Sequence, residues 1–283
     1  MDFSVDTDNK KLTLSFEVVT KQPERIRCIV FDPTKPNTVY ANGAVTINGT
    51  DTFYVRMPQS PVKAMVRIFN DRNGNTKNID QTFKYTCKKL PLKSKLTAFN
   101  YLNPDIYNFV AFAQEFAENA KILSCGVRLS DNGKFCIRYV EHIKGDKGQI
   151  LSTPASLNIQ SKRITVSKVN IVNYTVPEIM AVLLHEFSHG FLIADVEDEL
   201  AADYNALRIF CGLGYSRKEA FKVFCYIFGV TEDRTGKIHQ GNRKRMEKII
   251  AFLNRFENEN TPNYGYYYPN EKTEFIMNGQ KVS

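Results

Sequence analysis

The hydrophobic period changes once along this 283-residue chain, and that change limits the fold more than any other feature. Up to about residue 90, apolar and polar residues alternate in short runs. "KLTLSFEVVT" alternates around Leu12, Leu14 and Phe16, and "RIRCIVF", "AVTING", "DTFYVRM", "VKAMVRIF" and "QTFKYTC" follow. Turn signals such as "DPTKPN", "NGT" and "NDRNGN" separate the runs. A period of two between turn residues is the pattern of strands. Six or seven such strands in so short a stretch predict an immunoglobulin-like β-sandwich over residues 1–92.

After "LPLKSKL", which reads as a linker, the period becomes 3.6. Asn103 caps a helix, Pro104 suits its first turn, and Ile106, Phe109, Val110, Ala113, Phe116 and Ala117 make one stripe. A hairpin follows, "CGVRLS", "DNG", "KFCIRYVEHI". One or two more strands fit within "ASLNIQSKRITVSKVNIV". From Thr175 the chain reads as helical. Thr175 and Glu178 form a T-x-x-E capping box, and Pro177 sits where its missing N–H does no harm. That helix runs through Ile179, Val182, Leu183 and Phe187 to Gly190. Further helices are expected over about 197–212, from Ser216 and Glu219 through "SRKEAFKVFCYIF", and over about 242–258. The expected fold class is α+β in two domains. The sandwich at 1–92 precedes a mostly helical domain with a small sheet at 98–260, and a Tyr-rich tail covers 261–283.

Composition narrows the function classes. Apolar residues are 43%, enough for a sizeable core. No run approaches the ~18 apolar residues of a membrane span, so no membrane partner is expected. "MDFSVDTDNK" has neither the basic nor the apolar part of a secretion signal, which predicts a cytoplasmic location. Cys28, Cys87, Cys125, Cys136, Cys211 and Cys225 form no C-x-x-C pair and lie in apolar runs. They are expected as buried free thiols. The net charge of +8 is concentrated in residues 1–97, where 16 Lys+Arg face 9 Asp+Glu. These charges are dispersed along strands with no packed basic run, so direct nucleic-acid binding is not expected.

The chemistry lies in "LLHEFSHG", residues 183–190. Residues four apart on a helix share a face, so His185 and His189 can reach one ion. Glu186 is rotated by about 100° from His185 and stands beside the ion, where it can take a proton from a water. Catalytic zinc needs a third protein ligand and one open position. Glu199 begins an E-x-x-x-D pair with Asp203, so Glu199 can ligate while Asp203 accepts the outer N–H of a ligand histidine. Asp195 is the alternative third ligand, six residues past His189. Leu192 stands where the H-E-x-x-H-x-x-G-x-x-[HD] pattern has its glycine.

"HEFSH", "ELAAD", "LGYSRKEA" and "HQGNRKRM" together resemble the gluzincin zinc metallopeptidases, in particular the prenyl-protein endopeptidase and heat-shock-protease group. The likeness covers about residues 160–255 and rests on His185, Glu186, His189, Glu199, Ala202, Asp203, Gly214, Tyr215, His239 and Arg245. It implies a zincin-like fold, a Zn2+ cofactor held by His185, His189 and Glu199, and hydrolysis of peptide bonds with Glu186 as general base. His239 and Arg245 would steady the oxyanion or a substrate carbonyl, or Arg245 would tie the last helix to the site. The chain departs from the group in having Gln240 where the group has proline and only nine residues between His189 and Glu199. An edge strand within 155–171 could pair with an extended protein or peptide substrate.

The expected function is therefore a zinc metallopeptidase. The alternative is a structural virion protein of a bacteriophage head or tail ring. Such a protein would keep the fold and the metal site as a scaffold and would partner copies of itself or other virion proteins. Its basis is a composition rich in Asn, Lys and Tyr, and a basic sandwich ahead of an enzyme-like region.

Overall fold

The computed structural model describes residues 2–71, 82–92, 104–193, 198–227, 242–260, 275–277 and 280–282. It is a mixed α+β fold with several antiparallel sheets and, among the described residues, five α-helices.

The first ninety residues form seven strands in two sheets. They are β1 (Asp2–Asp6), β2 (Leu12–Val19), β3 (Glu24–Asp32), β4 (Lys35–Ile47), β5 (Thr50–Met57), β6 (Lys63–Asn70) and β7 (Lys84–Pro91). One sheet has the order β1-β6-β3-β4 and the other β5-β2-β7. Alternation turns Ile26, Cys28 and Val30 of β3 inward, and likewise Ala64, Val66 and Ile68 of β6. In β2, Leu12, Leu14, Phe16 and Val18 are buried. Phe3 of β1 stacks on Tyr85 of β7 with centroids 5.6 Å apart, so the inner faces of the two sheets meet. "DPTKPN" is less of a turn than its composition suggests. Asp32 accepts hydrogen bonds from the backbone N–H and hydroxyl of Thr34 and pairs with Lys35, and a bulge follows in β4 before Val39 pairs with Phe31. Pro36 is tolerated because β4 is an edge strand.

Helix α1 (Pro104–Asn119) buries the predicted stripe of Ile106, Phe109, Val110, Ala113, Phe116 and Ala117. Its expected cap Asn103 and most of the expected linker lie outside the described residues. A third sheet follows in the order β10-β11-β9-β8, from β8 (Gly126–Leu129), β9 (Cys136–Val140), β10 (Ala155–Asn158) and β11 (Arg163–Ser167). The β8–β9 hairpin is antiparallel, β9 and β11 are parallel, and β10 closes one edge antiparallel to β11.

Helix α2 (Val176–Phe191) is the centre of the core. Every residue from Val176 to His189 is buried. A helix that is apolar on nearly all sides must be covered on all sides. Phe187 stacks on Phe109 at 4.2 Å, and β10 packs alongside. Gly190 permits that approach, because a Cβ there would stand 3.2 Å from Leu157 Cδ2. Helix α3 (Glu199–Leu213) is capped by Asp198, whose side chain accepts from the Ala201 N–H at 2.9 Å. It ends at Gly214 in the left-handed region, φ +100°.

The expected helix after Ser216 is divided. A five-residue α4 (Arg217–Phe221) continues as a π-helical segment, Lys222–Ile227. The wider turn sets Phe224 beside the His185 ring, with centroids 6.4 Å apart. Helix α5 (Asn242–Asn260) follows. The tail, which showed no period, carries a small hairpin of β12 (Phe275–Met277) and β13 (Gln280–Val282). Strands of three residues are too short to display an alternation. The Tyr-rich stretch Tyr264–Tyr268 lies outside the described residues.

Contacts join the first two sheets to the helices. The Tyr215 hydroxyl donates to Gln59 Oε1, and Gln59 Nε2 donates to the Gln114 carbonyl at 3.2 Å. Lys35 Nζ reaches Asn119 Oδ1 at 2.8 Å. All six cysteines are free, but burial is not uniform. Cys28 and Cys225 are buried, Cys87, Cys136 and Cys211 are half-buried, and Cys125 is exposed. Cys125 starts the hairpin outside the ladder, and its thiol faces Glu141 Oε2 at 3.7 Å.

Candidate metal centre

Two devices fix where α2 begins and how it is turned. The Thr175 N–H donates to Glu178 Oε2 at 2.7 Å, and the Glu178 N–H donates to Thr175 Oγ1 at 3.4 Å. Glu178 also pairs with Lys222 at the start of the π-helical segment. Two turns later the helix presents His185 and His189, both buried. Their Nε2 atoms point at each other across 3.1 Å. Helix α3 brings Glu199 to the same point. Its Oε2 is 3.4 Å from His185 Nε2 and its Oε1 is 3.7 Å from His189 Nε2.

These separations can be tested against a metal. Ligand atoms about 2.0–2.1 Å from a tetrahedral ion lie about 3.3–3.4 Å from one another. The three observed distances bracket that value. Two imidazole lone pairs and a carboxylate converging on one point repel each other unless a cation or a proton lies among them. The donor set therefore fits a metal ion, and it is the one such group among the described residues. Two nitrogens and one carboxylate oxygen suit zinc and other borderline divalent ions, so the geometry alone does not select the metal.

Around these ligands lies a ring of charge. Asp203, fully buried one turn after Glu199, places Oδ1 3.0 Å from His185 Nδ1. Arg245 of α5 pairs with both Asp203 oxygens, with Nη2 2.8 Å from Oδ1, and places the same Nη2 3.2 Å from Glu199 Oε2. Burial alone would lower the His185 pKa, but the bonds to Asp203 and Glu199 outweigh it and raise it to about 9. Burial pushes Glu199 up, yet both histidines and Arg245 pull it well below the ordinary carboxylate range. Glu186 behaves in the opposite way. Burial raises its pKa, and His185 and His189 only partly oppose that.

Glu186 has a partner with no side-chain signature in the sequence. The backbone N–H of Leu157 in β10 lies close enough to its carboxylate to oppose the rise in its pKa. The strand register explains why that group is available. Ser167 N donates to the Pro154 carbonyl, and the register pairs Ala155 with Val166 and Leu157 with Ile164. Hydrogen-bonded pairs alternate with non-bonded pairs along an antiparallel ladder. Ala155 and Leu157 therefore turn their N–H and C=O groups outward, away from β11. The Thr153 hydroxyl donates to the Ala155 carbonyl at 2.7 Å. The edge of β10 thus runs beside Glu186 and the metal ligands.

Of the residues singled out from the sequence, His185, Glu186, His189, Glu199, Asp203 and Arg245 come together. Asp195 and His239 lie outside the described residues. Among the described residues no helix is long and apolar enough to cross a membrane. The class that fold and site define is a mixed α+β protein with a His-His-Glu group on two core helices that could hold a metal ion. No protein-family model matches the chain, and no curated protein matches it.

Proposed function

We propose that the chain is a zinc-dependent metallopeptidase in which His185, His189 and Glu199 hold the ion. The observation that carries this reading is the convergence of those three side chains beside a buried Glu186 on α2, with the edge strand β10 packed alongside. In this reading residues 1–92 are an immunoglobulin-like sandwich that positions substrate, and residues 98–260 are a zincin-like catalytic domain. When bound, zinc supplies a Lewis acid and lowers the pKa of a water to about 7. The chain's own groups do the rest. An extended peptide lies along β10 and hydrogen-bonds to its outward-facing backbone. Glu186 takes a proton from the attacking water and returns it to the departing amine nitrogen. The nearby Leu157 amide favours the charged form of the Glu186 carboxylate. Asp203 Oδ1, 3.0 Å from His185 Nδ1, would take up an N–H there and leave Nε2 to hold the ion.

The test is a comparison of wild type, His185→Ala and Glu186→Gln. Wild type is expected to bind one zinc per chain and to cleave a broad peptide library. His185→Ala loses the zinc, and Glu186→Gln keeps it but loses cleavage. Wild type without zinc would end the reading. Zinc without any Glu186-dependent cleavage would point instead to a scaffold that keeps the site, as in a virion ring protein.

A further inference from the structure

We infer that Arg245 is a positioning residue for the metal ligands: its guanidinium ties Glu199 and Asp203 into one unit and fixes how the Glu199 carboxylate meets the two histidines. The inference rests on the metal reading above. Its basis is the placement of one cation among several acids. Arg245 is 12% exposed, and its Nη2 lies 2.8 Å from Asp203 Oδ1 and 3.2 Å from Glu199 Oε2. Its Nε holds the other Asp203 oxygen. The guanidinium therefore spans two carboxylates that stand one turn apart on α3.

Each carboxylate gains a different constraint. Asp203 is fully buried and accepts from Arg245 through both oxygens while facing His185 Nδ1 at 3.0 Å. Its orientation, and through it that of the His185 ring, is set from α5. Glu199 is 33% exposed and has no such burial to hold it. Arg245 engages its Oε2, and the oxygen turned to His189 Nε2 is Oε1, 3.7 Å away. Oε2 also lies 3.4 Å from His185 Nε2, so the arginine that holds this oxygen sets the angle at which the carboxylate faces both histidines.

Charge agrees with this division. Glu186, Glu199 and Asp203 are three carboxylates within the site, and Arg245 is the arginine the described structure sets among them. One guanidinium and one divalent ion balance three carboxylates. Lysine could supply the charge but not the geometry, because an ammonium is a point charge and lacks a planar fork to bridge two acceptors.

The test uses the full chain stripped of metal. Zinc affinity is measured by competition with a chromophoric chelator, and coordination number by the visible spectrum of the cobalt(II)-loaded protein. Wild type is expected to give a four-coordinate spectrum. Arg245→Ala is expected to lose about 10–100-fold in zinc affinity. Its cobalt spectrum should change as Glu199 loses the orientation that Arg245 gives it. Arg245→Lys should show the same spectral change with a smaller loss of affinity. A melt of each metal-free variant identifies any that is unfolded, and Arg245→Lys decides the matter if Arg245→Ala is. Wild-type affinity with an unchanged cobalt spectrum in a folded variant overturns the inference alone. A wild type that takes up no metal overturns the metal reading and this inference with it.

Discussion

Replacing Tyr215 by Phe removes a single hydroxyl from a site that is 1% exposed. The ring itself stays packed, because it stacks on Phe210 with centroids 4.4 Å apart and planes 16° apart. What changes is Gln59, 8% exposed, whose Oε1 accepts from that hydroxyl while its Nε2 donates to the Gln114 carbonyl. A buried acceptor that loses its donor costs about 1–3 kcal/mol, more than the roughly 0.5–1.5 kcal/mol net worth of a typical hydrogen bond. Tyr215→Phe is therefore expected to destabilise by about 1–3 kcal/mol. Gln59→Leu loses the same bond from the other side. The double variant should cost less than the two single changes together, with a coupling of about 1 kcal/mol or more. Urea unfolding reads this as a shift of midpoint at constant slope. A coupling within about 0.3 kcal/mol of zero would mean that the bond does not join the first two sheets to the end of α3, and the reasoning would fail.

Gly214→Ala forces a side chain into the left-handed region and sets its Cβ 3.0 Å from Leu92 Cδ2. The backbone alone accounts for about 1–2 kcal/mol, so a loss of at least that size is expected in urea unfolding, and a neutral variant would refute it. Zinc at 100 times its Kd should stabilise the protein by about 2.7 kcal/mol, seen as a rise in Tm that EDTA reverses and His185→Ala abolishes. Arg67 hydrogen-bonds Asp2 and, against a smaller effect of burial, holds its pKa below the ordinary 3.8. The stability this pair contributes is complete above pH 3.8 and lost as pH falls through the lowered value. The pair is partly exposed, so Arg67→Met should remove less than about 1 kcal/mol of it near neutral pH and flatten the acid limb. An unchanged acid limb would contradict this.

Much of the site was legible because helix periodicity converts spacing into proximity. His185 and His189 had to share a face, and the Thr175–Glu178 box marked where that helix begins. The E-x-x-x-D pair carried the same logic into α3. Other features left no mark in the residue pattern. The Leu157 amide is a backbone group, and its outward direction follows from strand register. The π-helical turn at Lys222–Ile227 breaks a sequence that reads as uninterrupted helix. Arg245 was visible as a residue, but only the packing of α5 assigns its fork to Asp203 and Glu199. In the first ninety residues alternation located the strands. It overstated the turn at "DPTKPN", where two prolines reside in a region that an edge strand largely absorbs.

The open edge of β10 has a consequence for solubility. Unpaired backbone groups on a sheet edge are a template for joining another molecule strand to strand. Here Thr153 occupies the Ala155 carbonyl and Glu186 lies near the Leu157 amide, so this margin is partly closed to passing chains. The opposite margin is β8, a strand of only four residues. It exposes Val127 and Leu129 at 51% and 62%, with Arg128 as the one charge between them. Between the two margins of this sheet, the tendency to self-associate lies at β8. The shortness of that strand and its arginine restrain such association there, on the side of the sheet away from the metal.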